Sequence, residues 1–295
     1  MTHIKKKILI TGATGFIGKN LAEQFKSIYN VFSPVSKQLD LLDGNQVKKY
    51  LSKNNFDVVL HCATHNATKV SNKDLSLVFK NNLLMFFNLV RCNNLYKRMF
   101  YFGSGAEYDM RNYIPKIKEE YFDTFVPVDN YGFSKYIMAK YIKNIPNIYD
   151  LRPFGIYGKY EDWRIRFISQ NICRAINKMD IIINQNVYFD YLYIDDLVKI
   201  IKILIEKEKI PYQYFNICTG KTIDLFSLAK MIINISGKNL KIKIKEKGLK
   251  KEYSGNNNKL LETIGNFEFI KTEQAVKDLY NWYSNNRLLI DKKYI

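Results

Sequence analysis

The sequence predicts an α/β fold in which helices cover both faces of a parallel β-sheet. Short apolar runs alternate with longer amphipathic stretches through the first half of the chain. The first run, residues 8–10, is continuously hydrophobic, as strands buried on both faces are. Because crossover helices connect parallel strands, this alternation favours a doubly wound sheet, with functional loops at the carboxyl ends of its strands.

The individual elements follow from their local patterns. After the first strand, apolar residues at 17, 21, 25 and 28 recur at helical spacing. Further strands in the first half are predicted at 31–35, 58–61, 99–102 and 148–152, and helices at 47–53, 75–96 and 131–144. Beyond Pro153 we predict helices at 163–177, 195–206, 225–235 and 272–282, and strands at 181–183, 187–191 and 214–217.

Glycines break the chain directly after the first strand. Gly12 permits a tight turn, Gly15 lets the backbone approach a pyrophosphate, and Gly18 allows close packing of helix on strand. The helix that follows directs its N–H groups and the positive end of its dipole at the anion. This context predicts a dinucleotide site. Its predicted contacts in this segment are Gly12, Thr14, Gly15, Phe16, Ile17 and Gly18.

This site sets the expected domain organisation. We assign residues 1–155 to a Rossmann-type dinucleotide-binding domain and residues 156–295 mainly to a substrate-binding region. The segment at about 184–217 is expected to return to the first domain. A chain of 295 residues is long enough for both parts.

A tyrosine and a lysine lie four residues apart at Tyr131 and Lys135. On a helix this spacing places them on one face. A free tyrosine is a poor base at neutral pH, and a nearby positive charge favours its phenolate. Tyr131 is therefore the predicted acid/base for a carbonyl or hydroxyl whose carbon exchanges a hydride with the nicotinamide.

With the glycine loop, this pair makes the chain resemble the extended short-chain dehydrogenase/reductases of the nucleotide-sugar epimerase/dehydratase group. The segments 104–108, 152–158 and 189–196 support the likeness, and 38–43 is similar to GDP-fucose synthases. The resemblance implies a nucleoside-diphosphate sugar as substrate. It also implies a homodimer formed through the helices at 75–96 and 131–144.

The same resemblance implies two further roles in catalysis. Members of the family hydrogen-bond the lysine to the cofactor ribose, which gives Lys135 a cofactor contact as well. They carry a Ser or Thr four residues before a strand-end tyrosine, and counting back from Tyr108 gives Ser104. The predicted catalytic residues are Ser104, Tyr131 and Lys135.

The chain also departs from its relatives. Dehydratases of the family carry Asp and Glu at the two positions after the Ser or Thr, where this chain has Gly105 and Ala106. GDP-fucose synthases use a Cys and a His to epimerise C3 and C5, and this chain has no histidine after His65. We therefore expect neither dehydration nor that epimerisation.

The choice of cofactor depends on the end of the second strand. NAD-specific relatives place an acidic residue there, whereas residues 32–37 contain none. We therefore favour NADP, with NAD still possible and with Ser33, Ser36 and Lys37 near the 2′-phosphate. The remaining predicted cofactor contacts are Asp40, Leu41, Ala63 and Pro153.

Substrate contacts are predicted at Asn82, Glu107, Arg164 and Arg166. Asn82 matches a helix asparagine near the active site of relatives. Phe189 replaces an arginine that commonly contacts the diphosphate, so Arg164 and Arg166, or Arg152, are candidates to supply that charge. Solvated arginines on a helix surface are the alternative.

Composition limits the other classes of function. The net charge is +18, but lysine is spread along the chain, and only 241–251 is a dense run, with the alternation of an edge strand. We expect neither nucleic acid nor a membrane as partner. The four cysteines lack metal-ligand or disulfide spacing, so we expect no metal. The N-terminal residues lead directly into the first strand, and we expect a cytoplasmic protein.

Together these features predict an NADP(H)-dependent reductase acting on C4 of a nucleoside-diphosphate 4-keto-6-deoxy sugar, for surface polysaccharide synthesis. An NAD-dependent nucleotide-sugar 4-epimerase is the closest alternative, because it uses the same three residues. A dinucleotide-binding protein without catalysis is the second alternative.

Overall fold

The elements come from a computed structural model that describes residues 5–65, 68, 70 and 73–294. Within these residues the strands are β1 (Lys7–Thr11), β2 (Asn30–Phe32), β3 (Phe56–His61), β4 (Tyr96–Phe102), β5 (Ile148–Pro153), β6 (Gly155–Tyr157), β7 (Ile181–Asn186), β8 (Tyr188–Phe189), β9 (Tyr191–Tyr193), β10 (Tyr214–Ile217), β11 (Ile223–Asp224) and β12 (Ile242–Leu249). The α-helices are α1 (Phe16–Phe25), α2 (Gly44–Asn54), α3 (Val78–Val90), α4 (Asn130–Ile142), α5 (Phe167–Ile176), α6 (Ile194–Glu206), α7 (Leu225–Ser236), α8 (Asn258–Ile264) and α9 (Thr272–Asn285).

Six strands form the central sheet in the order β2-β1-β3-β4-β5-β10, and every neighbouring pair is parallel. The chain leaves β1 toward β2 at one edge and then crosses back to place β3 on the other side of β1. The strand order therefore reverses between β1 and β3, where a crevice opens at the carboxyl ends of the strands. The predicted doubly wound α/β fold is confirmed.

Hydrophobic cores cover both faces of this sheet. Ile8 and Ile10 of β1 point to one face, where α1 and α6 pack, while Leu9 between them points to the other. The second face is covered by apolar residues of α2, α3 and α4. Burial on both faces explains why this strand reads as an uninterrupted apolar run.

The second half of the chain adds three small strand pairs beside the central sheet: β6 with β9, β7 with β12, and β8 with β11. Helix α5 packs against α7 and α9. Strand β10 joins the central sheet, whereas β8 and β9 do not. The lysine-rich run forms β12, which is exposed along most of its length, as expected of an edge strand.

The predicted helix at 75–96 is too long. It divides into a 3-10 turn at Leu75–Leu77, helix α3, and a second turn at Asn93–Leu95 that leads into β4. Asn93 and Asn94 favour turns, because a short amide side chain competes for the backbone hydrogen bonds of a helix. Strand β2 also stops early, at Phe32, two residues before Pro34, which has no N–H for a sheet ladder.

Candidate functional site

A cleft of about 730 Å³ lies at the point where the strand order reverses. The glycine loop between β1 and α1 forms one wall, and residues after β3 form another. A third wall, which also includes Tyr131, comes from residues 160–162, 165 and 166 of the second half of the chain. Its size is that of sites that enclose small ligands.

The glycine loop closely matches what a pyrophosphate requires. Gly12 has φ +69°, and a Cβ there would lie 2.6 Å from the backbone nitrogen of Ala63. A Cβ on Gly18 would lie 2.4 Å from the carbonyl oxygen of Gly12. The N-cap residue of α1 is Gly15, so no capping side chain accepts the N–H groups of the first turn. That turn also contains no acidic residue. The first-turn N–H groups are therefore available to an anion, so the loop fits a dinucleotide.

The three predicted catalytic residues lie together at the end of β4. Tyr131 is in the first turn of α4, which Asp129 caps by accepting a 2.8 Å hydrogen bond from the Gly132 N–H. The Ser104 side chain interacts with the Tyr131 hydroxyl and lowers the pKa of this phenol. One turn further on, Lys135 Nζ lies 5.8 Å from the centre of the Tyr131 ring and donates a 2.7 Å hydrogen bond to the carbonyl oxygen of Phe102.

Burial has the largest effect on the pKa values of Tyr131 and Lys135. Burial raises the pKa of Tyr131. The Ser104 side chain and the positive charge of Arg166 lower this pKa, but they offset only part of the effect of burial. The sequence-based expectation that Lys135 favours the phenolate is thus outweighed by desolvation. Burial lowers the pKa of Lys135 to about 8, against the negative charges of Glu107 and Asp150. Near neutral pH, Tyr131 is a neutral phenol that can donate a proton.

Most of the predicted cofactor contacts line the cleft. Besides the glycine loop, these are Ser36, Asp40, Leu41 and Ala63. Ser33 and Lys37 are exposed and lie beside the lining residues without joining them. Pro153 does not line the cleft either. It is the last residue of β5 and is aligned with Ile217 of β10.

Two of the predicted substrate contacts also lie at the cleft. Arg166 lines it. Asn82 is buried and accepts hydrogen bonds from the Thr64 hydroxyl at 3.2 Å and the His65 N–H at 2.7 Å. Its buried Nδ2 has no hydrogen-bond partner among the described residues, and Asn82 itself supports the lining residues Thr64 and His65 rather than lining the cleft.

The structure corrects the other two substrate predictions. Glu107 is fully buried and its carboxylate accepts a 2.7 Å hydrogen bond from Arg152 Nε. Arg152 is 1 % exposed, so it is not a free cation for a diphosphate. Arg164 is paired with Asp162 at 2.7 Å and is not a lining residue. Glu107 and Arg152 are thus directed at each other in the interior, and the partly exposed Arg164 is held by Asp162.

Sequence reasoning missed three residues near the site. Lys73 and Glu161 line the cleft. Burial raises the pKa of Glu161 to about 7, and its Oε2 has no hydrogen-bond partner among the described residues. Tyr253 arrives from the second half: a Cβ on Gly105 would lie 2.2 Å from its hydroxyl oxygen. No motif signals these residues, since tertiary packing brings them to the site.

A family model for the NAD dependent epimerase/dehydratase family matches residues 8–218. The chain belongs to this family. Its members are NAD(P)-dependent enzymes that act on nucleotide sugars as epimerases, dehydratases or reductases. The matched region includes the glycine loop, Ser104, Tyr131 and Lys135.

Curated relatives are similar over nearly the whole chain. GDP-6-deoxy-D-talose 4-dehydrogenase of Aggregatibacter actinomycetemcomitans is 28% identical, and the alignment covers 96% of this chain and 98% of that protein. UDP-glucose 4-epimerase of Pisum sativum is 24% identical, with 97% and 98% covered. The relatives thus include both a 4-dehydrogenase and a 4-epimerase.

Solved structures share the fold. UDP-glucose 4-epimerase of Thermotoga maritima, solved with UDP-glucose, has a TM-score of 0.80 at 20% identity and covers 96% of this chain and 100% of its own. GDP-mannoheptose C4 reductase of Campylobacter jejuni, solved with NADP, has a TM-score of 0.80 at 21% identity, with 96% and 99% covered. At these identities the likeness establishes the fold.

The part of the chain that the structure describes contains neither a membrane-spanning helix nor a cluster of metal-binding side chains. None of its helices has the length and apolar character needed to span a bilayer. Its His, Cys, Asp and Glu side chains form no group of three or more suited to a metal ion.

Proposed function

We propose that this protein is an NADP(H)-dependent reductase of C4 in a nucleoside-diphosphate 4-keto-6-deoxy sugar, in surface polysaccharide biosynthesis. The observation that carries the proposal is that Ser104 and Lys135 both lie beside Tyr131, which lines the glycine-loop cleft. The 28% identical relative that is named a GDP-6-deoxy-D-talose 4-dehydrogenase supports redox chemistry at C4.

The nicotinamide supplies the hydride when the cofactor is bound. Tyr131 donates its proton to the oxygen of the sugar carbonyl, a role that suits a phenol kept neutral by burial. The Ser104 hydroxyl orients that oxygen. Lys135 holds positive charge one helical turn away, which stabilises the phenolate left after the proton transfer.

The residues beside Ser104 favour simple reduction over other chemistry. Gly105 and Ala106 carry no carboxyl group, so this turn has no acid/base pair for removing water from C5 and C6. The three histidines of the chain are at positions 3, 61 and 65. His61 is buried with its Nδ1 2.8 Å from the Thr11 hydroxyl oxygen, so it is not positioned to move a proton on a sugar carbon.

The preference for NADP is supported by the side chains around residues 33–42. Ser36 lines the cleft, and residues 32–37 at the end of β2 contain no carboxylate that would repel a 2′-phosphate. Arg166 also lines the cleft and is available to a phosphorylated sugar, and Asn82 lies behind the lining residues Thr64 and His65 with a buried Nδ2 that has no partner among the described residues. The positive charge of Arg166 matches the negative charge of such a substrate.

The proposed assembly is a homodimer in the cytoplasm. Helices α3 and α4 pack against each other, and an aromatic pair lies on their outer surface. Phe87 is half-buried there and packs edge-on against Tyr141, which is 45% exposed, with ring centres 4.9 Å apart. A second copy would cover such a surface.

A nucleotide-sugar 4-epimerase is the second candidate. It would oxidise C4 and then return the hydride to the opposite face with the same Ser104, Tyr131 and Lys135. The 24% identical UDP-glucose 4-epimerase of Pisum sativum favours it. A dinucleotide-binding protein without catalysis remains a third candidate, which an intact set of hydroxyl, phenol and ammonium groups disfavours.

The deciding experiment separates these candidates by their cofactor. Freshly purified protein is denatured and any released nucleotide is identified by chromatography, and the untreated protein is titrated with NADPH and NADH. A reductase is expected to exchange NADPH freely and to oxidise it with a 4-keto sugar nucleotide. Stoichiometric trapped NAD would overturn the reductase in favour of the epimerase, and binding of neither cofactor would overturn both.

A further inference from the structure

Two buried carboxyl groups meet one guanidinium behind the Ser104–Tyr131 pair. Arg152 Nε lies 2.7 Å from Glu107 Oε2 and 2.8 Å from Asp150 Oδ2. All three side chains are at most 1 % exposed. Arg152 Nη1 also donates to the Tyr108 hydroxyl at 3.0 Å. If both carboxyl groups were ionised, these three side chains would carry a net charge of −1 in the interior, with Lys135 as the other nearby cation.

When both carboxyl groups are ionised, this cluster has one hydrogen-bond donor fewer than its acceptors need. Arg152 Nε carries a single hydrogen, yet two carboxyl oxygens lie within 2.8 Å of it. Asp150 Oδ1 is buried with no donor among the described residues. Glu107 Oε1 lies beside it, since a Cβ on Gly103 would be 2.0 Å from Oε1 and 2.4 Å from Asp150 Oδ1. A proton on one carboxyl group would supply the missing hydrogen bond.

Glu107 also connects this cluster to the catalytic turn. Its Oε1 accepts a 3.0 Å hydrogen bond from the backbone N–H of Ser104. In return, the Ser104 hydroxyl accepts one from the Ala106 N–H at 3.1 Å. These reciprocal bonds form a capping box around the turn Gly105–Glu107. The orientation of the Ser104 hydroxyl toward Tyr131 therefore depends on the Glu107 side chain.

We propose that Glu107 and Asp150 share one proton, and that the resulting singly charged pair is the positioning element for Ser104. The pair neutralises Arg152, and Glu107 Oε1 holds the Ser104 backbone in place while the hydroxyl contacts Tyr131. Its remaining negative charge also faces Lys135. The positioning role rests on the proposed function, whereas the shared proton does not.

Other titratable groups border this cluster and must be separated from it experimentally. Those that interact with Glu107 or Lys135 are His61, Cys62, Tyr101, Tyr108, Tyr131 and Tyr253. None of these is a carboxyl group, but Glu119, which interacts with Arg152, is a buried carboxyl group. A spectroscopic signal specific to neutral carboxyl groups is therefore assigned by comparing variants.

Infrared difference spectra at pH 7.5 test the shared proton without any substrate. Neutral carboxyl groups have a carbonyl stretch that ionised ones lack and that shifts in D2O. We expect this band to weaken by one group in Glu107→Gln and, separately, in Asp150→Asn, because the remaining carboxyl group ionises beside Arg152. Asp195→Asn, a change in a carboxyl group outside the cluster that bonds Gln24, should leave the band intact. If the band weakens in only one of the two variants, or in neither, Glu107 and Asp150 do not share a proton.

The positioning role is tested by comparing Glu107→Ala with Glu107→Gln in NADPH-dependent turnover. Alanine removes the acceptor for the Ser104 N–H, whereas the glutamine amide oxygen retains it. We expect kcat to fall by about tenfold or more in Glu107→Ala with little change in NADPH Kd, and Glu107→Gln to restore most of the loss. Equal losses in both variants would overturn the positioning role. A turnover failure in all proteins, wild type included, would instead count against the proposed reductase, and the infrared result would stand alone.

Discussion

The Ser104 and Tyr131 side chains interact although 26 residues lie between them in the sequence, because the end of β4 and the first turn of α4 meet beside the cleft. Each residue is held by its own backbone cap: Ser104 caps the turn that follows β4, and Asp129 caps α4. Two rigid caps therefore fix one hydroxyl pair. This preorganisation is what a proton transfer to a carbonyl requires.

Removal of the Tyr131 hydroxyl should separate chemistry from binding. In Tyr131→Phe we expect turnover to fall by about 10²–10⁴-fold, because the proton donor is lost while the ring still fills its place. NADPH affinity should change little. Tyr141→Phe, on the exposed face of the same helix, is the matched control. Turnover measured by NADPH absorbance checks this, and a normal rate in Tyr131→Phe would contradict the mechanism.

The glycine loop and the Tyr131–Lys135 pair could be predicted because their geometry is local. Three glycines after a strand define a turn, and a spacing of four defines one helix face. Glu107 could not be placed this way. The sequence predicts a substrate contact at this position, but the turn Gly105–Glu107 directs the side chain inward to Arg152. Only the tertiary structure brings those charges together.

Helix boundaries and distant contributors were also beyond local reasoning. Apolar residues continue past Val90, so periodicity extended α3 to residue 96, whereas the pairing of β4 with β3 begins at Tyr96. Tyr253 comes close to Gly105 only because β12 and the segment after it fold back on the first half. Such contacts depend on packing, which a single sequence does not reveal.

Gly18 should be essential for loop closure. A Cβ there would lie 2.4 Å from the carbonyl oxygen of Gly12, a backbone atom that cannot move without opening the turn. We expect Gly18→Ala to destabilise the protein by about 1–3 kcal/mol and to abolish measurable NADPH binding. Gly44→Ala is the control, because its Cβ would meet only the Asn88 side chain, at 3.0 Å. Urea unfolding and fluorescence titration measure the two effects, and unaltered NADPH binding in Gly18→Ala would be evidence against a pyrophosphate at this loop.

Ser36 should influence the choice between NADPH and NADH. It lines the cleft beyond β2, so Ser36→Asp would place a carboxylate where the proposal places the 2′-phosphate. We expect NADPH to bind at least about tenfold more weakly, and NADH equally well or better. Ser33→Asp makes the same change at an exposed position outside the cleft wall. Calorimetric titration of both variants with both cofactors checks this, and parallel effects at 33 and 36 would mean that only the net charge matters.

Glu161 should make stability depend on pH. Burial raises its pKa to about 7 from 4.5, so the folded state retains a proton that the unfolded state has lost between these values. Its contribution is thus fully present below pH 4.5 and is lost as the pH rises through 7, a change of about 3 kcal/mol. Glu161→Gln removes the ionisation, so we expect a smaller loss of stability between pH 5 and pH 8 than in the wild type. Glu246→Gln, an exposed change on β12, should leave the wild-type dependence unchanged. Urea unfolding at both pH values measures these differences, and identical pH dependence in the wild type and Glu161→Gln would show that Glu161 is already ionised in the folded protein at pH 5.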